Sequence, residues 1–188
     1  TGGLGGRLTY NLGAHVIDQA VQLFGMPEAV FADIDIIRTG GKVDDYFVIH
    51  LLRPSKAPHV KVTLKSSYLM CEPEPRFVLH GTEGSFVKYG LDRQEADLNE
   101  GLMPGSPGWG VEDESIWGLL HTEKDGNVVR RKYPSHAGNY GGFYDNIYRH
   151  LRHGEPLLTD AAGVLPVIRL IEAAYDSSKM GKVVKIRK

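Results

Sequence analysis

The run Asp45-Tyr46-Phe47-Val48-Ile49-His50-Leu51-Leu52-Arg53 constrains this chain more than any other stretch. Laid out as a strand, it puts Tyr46, Val48 and Leu52 on one face and Phe47, Ile49 and Leu51 on the other. A strand apolar on both sides needs cover on both sides. Ala29–Arg38 and His59–Ser66 are similar β-rich runs, separated from it by Gly40-Gly41 and by Pro54 and Pro58. Arg76–His80 and Ser85–Tyr89 flank Gly81-Thr82-Glu83-Gly84, which predicts a hairpin. A second hairpin is predicted between Ser115–Thr122 and Asn127–Tyr133, with Asp125-Gly126 as its turn. Leu91–Asn99 reads as a short helix, Met103–Gly110 as a loop and Lys182–Arg187 as a final strand.

Helices are predicted near both ends. Leu12, Val16, Ala20, Leu23 and Phe24 recur at helical steps until Gly25 and Pro27. Around that helix, Asn11, His15, Asp18, Gln19 and Gln22 share one stripe about 100° wide. Phe143, Ile147 and Leu151 mark a second helix ending at Gly154. Thr159 or Asp160 is placed to cap a third, running to about Ser178 and stopped by Gly181. Pro166 should kink that helix or push its start later.

Helices gathered around hairpin-linked strands define an α+β fold, an open, mostly antiparallel or mixed sheet with helices on one face. One helical layer covers one side of Asp45–Arg53, so the other side is left for a second copy of the chain. The plainer alternative is that a few apolar side chains stay exposed. The length of 188 residues suits one domain, and 41% hydrophobic with 24% charged residues suits a packed core. The formal net charge of −1, without a polybasic tract, gives no footprint for nucleic acid or an anionic membrane. No apolar run is long enough for a transmembrane helix, and the lone Cys71 points to a reducing, cytoplasmic setting. Thr1-Gly2-Gly3-Leu4-Gly5-Gly6, without an initiator Met, reads as the middle of a longer protein.

His15 is the leading candidate for chemistry. Near the start of a helix a neutral imidazole is favoured, and it can accept or donate a proton. Asp18 and Gln19 lie at the spacings that could orient its ring. The same stripe is also what the solvated edge of an amphipathic helix shows, and spacing alone favours that reading. Asn11 likewise has a plain role as an N-cap. The early glycines suggest close backbone approach to a ligand, yet they do not form GxGxxG after a strand, so no cofactor-binding residue is assigned in this chain. His150 and His153 have i, i+3 spacing, but the neighbouring Arg149 and Arg152 oppose a cation, so no metal site is expected. Tyr140, Tyr144 and Tyr148 form a stripe expected to be core or interface. Trp109 in a Pro/Gly loop could border a pocket, and Cys71 is expected to be inert.

The segment Gly5-Gly6-Arg7-Leu8-Thr9-Tyr10-Asn11-Leu12-Gly13-Ala14-His15-Val16-Ile17-Asp18 resembles the opening of the C-terminal domain of the Gfo/Idh/MocA oxidoreductases. Phe77–Ser85, Asn139–Ile147 and Ile171–Ala174 with Ser177-Ser178 are similar to later parts of that domain. Lys88–Asp97 and Trp109-Gly110 look like the branch that includes NADP-dependent scyllo-inositol dehydrogenases. The resemblance implies that residues 1–188 are a single substrate and oligomerisation domain, like the C-terminal domain of glyceraldehyde-3-phosphate dehydrogenase. A Rossmann domain outside the chain would then bind NADP or NAD. It implies His15 as the acid/base or substrate-orienting group, with Asn11 beside it, and a sugar, polyol or inositol-like substrate. Asp18, Trp109 and Tyr140 are carried as substrate-binding candidates. A homodimer or homotetramer through the sheet is implied as well. Asn11 stands where the family has an aspartate. An amide binds a hydroxyl but exchanges no proton, which leaves a non-catalytic sugar-binding or assembly module as the alternative.

Overall fold

The computed structural model describes residues 6–186. Thr1–Gly5 and the end of the predicted final strand at Arg187 lie outside them. The chain forms two compact units, Thr1–Cys71 with Thr159–Lys188, and Glu72–Leu158. The architecture is α+β, with the expected open sheet resolved into two four-stranded antiparallel sheets among the described residues.

In the first unit, helical backbone starts at Leu8, widens into a π-helical turn over Thr9–Gly13 and continues as α1 (Ala14–Phe24). Three strands follow, β1 (Pro27–Asp35), β2 (Tyr46–Pro54) and β3 (Val62–Ser67). After the second unit the chain returns as α4 (Ala161–Met180) and the short β8 (Val184–Lys185), and the sheet order is β3-β2-β1-β8. The expected strand from His59 begins only at Val62, because the backbone after Pro54 first turns, with Val60 N–H bonding the Ala57 carbonyl.

One face of this sheet is covered and the other is not. Phe47, Ile49 and Leu51 are buried with Val30, Ile17, Leu170 and Ile171 in a core built from α1, α4 and the sheet. Tyr46, Val48 and Leu52, on the opposite face, are only half-buried, and Phe31 stacks beside His50 there. The period-2 alternation of β2 is therefore real on both sides, with full burial on one.

α4 does more than cover the sheet. β8 pairs with β1 only at Ala29 and Val30, leaving the next N–H groups of that edge without a strand partner. Ser177 Oγ accepts from Ala32 N–H at 3.0 Å and Ser178 Oγ from Ile34 N–H at 2.9 Å. Two hydroxyls thus satisfy the backbone where pairing stops. Asp160 caps α4 by accepting from Gly163 N–H at 2.7 Å. The helix starts upstream of Pro166, so the proline does not delay it; five residues in, its missing N–H costs one hydrogen bond.

The second unit contains β4 (Phe77–Gly81), β5 (Gly84–Lys88), α2 (Gln94–Asn99), β6 (Gly118–Lys124), β7 (Asn127–Tyr133) and α3 (Gly141–His153). Its sheet order is β4-β5-β6-β7. Asp125 and Gly126 take φ of 53° and 76°, the left-handed pair that a two-residue hairpin turn requires. Gly118 is obligatory for another reason: a Cβ there would sit 2.1 Å from the Phe86 ring. The tyrosine stripe of α3 is not core, as Tyr140, Tyr144 and Tyr148 are all exposed.

Candidate active site

His15 projects from the first turn of α1 and is exposed, as are Asn11 and Asp18. The three belong to one unit and to one continuous helical segment. His15 makes no hydrogen bond or ion pair with any described residue, so neither Asp18 nor Gln19 orients its ring. Its helical position also differs from expectation. Helical backbone begins at Leu8, about two turns before His15, and the field of a helix terminus fades within the first turn. The fold presents the imidazole as an exposed side chain on a helix, without a partner among the described residues.

Asn11 is not the cap of this helix. It lies inside the π-helical turn, with its N–H bonded to the Arg7 carbonyl at 3.0 Å. The capping comes from Asp44, at the head of β2. The Asp44 carbonyl accepts from Leu8 N–H at 3.1 Å, and Asp44 Oδ2 accepts from Thr9 N–H and Thr9 Oγ1, each at 2.8 Å. Asp44 Oδ1 accepts from Tyr175 Oη of α4 at 2.8 Å. One buried carboxylate thus locks the segment carrying Asn11 and His15 to both the sheet and α4. Burial first, and then the bond to Asp44, push the Tyr175 phenol up to about 12. The neighbouring Asp45 anchors the β1–β2 connection by accepting from Ile37 N–H, Arg38 N–H and Arg38 Nε. Those donors, the Ile37 amide foremost, hold its carboxyl below the usual aspartate value.

Trp109 and Tyr140 meet in the second unit. Gln94 Oε1 accepts from Trp109 Nε1 at 3.0 Å and from Tyr140 N–H at 2.6 Å, while its amide nitrogen donates to Asp92. Trp109 is buried, with its one polar atom engaged by Gln94; the Tyr140 side chain remains exposed. Asp97, fully buried, ties Arg93 Nε at 2.6 Å to Gly110 N–H at 2.8 Å and fixes the end of the Met103–Gly110 loop. His150 spends Nδ1 on the Glu155 carbonyl at 2.7 Å. Among the described residues no group of three or more His, Cys, Asp or Glu side chains is placed to hold a metal, and no helix is long and apolar enough to cross a membrane.

The residues that sequence reasoning missed are Arg7, Thr9, Asp44 and Tyr175, which set the geometry around the His15 helix. The available signal was Asp44-Asp45, two acids abutting a doubly apolar strand, where buried carboxylates need donors from elsewhere in the fold.

Comparison with known proteins agrees with this fold. Residues 2–186 match the family described as "Oxidoreductase family, C-terminal alpha/beta domain". The chain belongs to the Gfo/Idh/MocA oxidoreductase family, as its C-terminal domain. It is 34% identical over 177 residues to scyllo-inositol 2-dehydrogenase (NADP(+)) IolW of Bacillus subtilis, covering 94% of this chain and 48% of that protein. It is also 34% identical over 174 residues to the uncharacterized oxidoreductase YhhX of Escherichia coli, covering 93% and 49%. A Bacteroides fragilis protein of solved structure is 67% identical, with a TM-score of 0.90 over 96% of this chain and 53% of that one. The chain spans about half the length of the curated relatives it matches.

Proposed function

We propose that this chain is the substrate-side half of a nicotinamide-dependent oxidoreductase that interconverts a hydroxyl and a carbonyl on a sugar, polyol or inositol-like substrate. The observation that carries the proposal is family membership together with the likeness to a scyllo-inositol dehydrogenase. NADP or NAD supplies the hydride chemistry when bound. Among the described residues, the first helical segment opens at Leu8 under the Asp44 cap and α4 follows a capping aspartate, and neither start is a strand-to-helix turn of the kind that cradles a pyrophosphate. The cofactor is accordingly assigned mainly to the remainder of a longer protein. His15 is assigned proton exchange with the reacting oxygen, which its unengaged ring supports. Asn11 is assigned a hydrogen bond to a substrate hydroxyl and Asp18 a supporting contact beside it, while Trp109 and Tyr140, in the other unit, are carried as weaker substrate-binding candidates. The free thiol of Cys71 supports a reducing, cytoplasmic setting.

The test is turnover of a polyol panel by the full-length protein with NAD and with NADP. Activity that falls by orders of magnitude in His15→Ala supports the assignment, and unchanged activity rejects it. No turnover on any substrate favours the second reading, a sugar-binding or assembly module, for which Asn11 in place of an acid is the motivating residue. This chain alone is expected to be inactive; tight stoichiometric NADP(H) binding by it in calorimetry would overturn the division of labour.

Self-association is the remaining part of the proposal. The outer face of the first sheet leaves Phe31 exposed and Tyr46, Val48 and Leu52 half-buried, a surface that a two-fold partner would cover. Ultracentrifugation at micromolar concentration should show a dimer or tetramer. A clean monomer of 20.8 kDa for this chain would defeat the idea.

A further inference from the structure

We infer that Arg7 forms the head of a second ligand site, separate from the His15 stripe, that takes the carboxylate or phosphate group of a small organic ligand. A cleft of about 330 Å³ opens in the first unit between the start of the helical segment, the β1–β2 connection and the end of α4. That volume is within the range of small-molecule pockets. Arg7 lines it, and its Nε–H is buried without a hydrogen-bond partner among the described residues. Native proteins pair nearly all such groups, and a charged donor left dry and unpaired marks a place where an acceptor belongs.

The surroundings select the chemistry of that acceptor. The guanidinium lies over the Tyr175 ring, 5.6 Å from its centroid, so the plane of the fork is held and little freedom is lost when it binds. Lys42 and Lys179, both exposed, line the same cleft. The opposing charges are Asp35 and Asp44. Asp44 already spends both oxygens on Thr9 and Tyr175, and Asp35 Oδ1 accepts from Ile36 N–H at 2.7 Å. Three cations against two engaged carboxylates leave the cleft net positive. Ile34, Ile36 and Val43 supply an apolar wall for a short carbon body. An arginine fork with lysines at the rim matches an oxyanion bidentately, and the wall adds apolar contact for the carbon body of an organic anion.

The site makes no use of His15, so its test is separable from that of the oxidoreductase reading. The full-length protein is titrated calorimetrically with inorganic phosphate and, in a second arm, with succinate, at ionic strength held constant by NaCl. Saturable binding in either arm is expected, and the arm that binds identifies phosphate or carboxylate as the recognised group. Affinity should fall about tenfold in Arg7→Lys, the loss of one charge-assisted hydrogen bond. It should fall several-fold in Lys42→Gln/Lys179→Gln, a pair on the surface whose change leaves the core alone, and stay unchanged in His15→Ala. The proposal fails if neither probe binds saturably, or if binding survives Arg7→Lys undiminished. It fails equally if His15→Ala abolishes binding, which would place the anion in the substrate pocket. Should Arg7→Lys lose its native circular dichroism, the lysine pair decides, and unchanged affinity there overturns the site.

Discussion

The first unit buries Leu8, Ile17, Val30, Phe47, Ile49, Leu51, Leu170 and Ile171 against one another, whereas among the described residues of Glu72–Leu158 Trp109 alone is a buried apolar side chain. Lys88, Gln94, Asp97 and Asn146 take the place of a dry core there. Each is held by named partners. Lys88 Nζ donates to the Tyr89 and Ile116 carbonyls at 2.7 and 2.9 Å and pairs with Glu112 Oε2 at 3.1 Å, an oxygen with no other partner among the described residues. Asn146 donates to the Pro156 carbonyl at 3.0 Å and accepts from Leu158 N–H at 2.8 Å. A dry core tolerates a change of shape and resists loss of volume. A polar network behaves the opposite way, failing when one partner is removed and surviving when both are.

The largest expected effects put that contrast to the test directly. Phe47→Ala should destabilise the first unit by about 3–5 kcal/mol, the usual cost of deleting a buried aromatic ring. Phe47→Leu should recover most of it, measured by denaturant midpoints. In the second unit, Lys88→Met strands Glu112 and should cost about 3–5 kcal/mol, while Lys88→Met/Glu112→Leu should restore most of that. If the double variant were as unstable as the single one, the pair would be a packing element, and the contrast between the units would disappear.

Gln94→Ala comes next. It removes the acceptor shared by Trp109 Nε1–H and Tyr140 N–H, leaving two donors stranded. A loss of about 1–3 kcal/mol is expected, since one group is buried and the other partly so. Indole fluorescence should shift to the red, and amide exchange should speed up around Gly110 and the start of α3. No change in exchange at Tyr140 would show that Gln94 does not hold that junction.

The same contrast explains what was legible beforehand. The apolar run of β2 was legible as a strand needing cover on both faces, though not which face would be buried, and the Asp125-Gly126 turn was legible through residue types that accept positive φ. Both signals are local. The π-helical turn over Thr9–Gly13 was invisible, because five residues are too few to show a period of their own. Gln94 and Asp97 lie in the stretch read simply as a short helix, and nothing near them in sequence names Trp109 or Gly110 as partners. Ser177 likewise finds Ala32 across 145 positions. For the site, His15 and Asn11 were legible as a stripe and a family motif, but Asp44, which fixes their helix, acts from 35 positions away from Thr9.

The smallest expected effect concerns one of the polar links of the first unit, where Thr9, Asp44, Asp45 and Ser177 are buried beside the apolar core. Tyr175 donates to Asp44, and its phenol titrates at about 12 instead of the ordinary value near 10. A raised pKa in the folded state means that folding favours the protonated phenol. Below pH 10 both states hold the proton and the contribution of Tyr175 is fully present. As pH rises from 10 toward 12, the unfolded phenol ionises first, and the contribution drains away. Tyr175→Phe cannot ionise, so it should be less stable than the parent at pH 9 by the lost bond, with the gap narrowing as pH climbs through that window. Because Tyr175 is half exposed, solvent screens part of this effect, and it should be smaller than the loss in Gln94→Ala. A gap that stays constant from pH 9 to 11.5 would mean that the phenol is not held by Asp44, and that the first unit locks the His15 helix by packing alone.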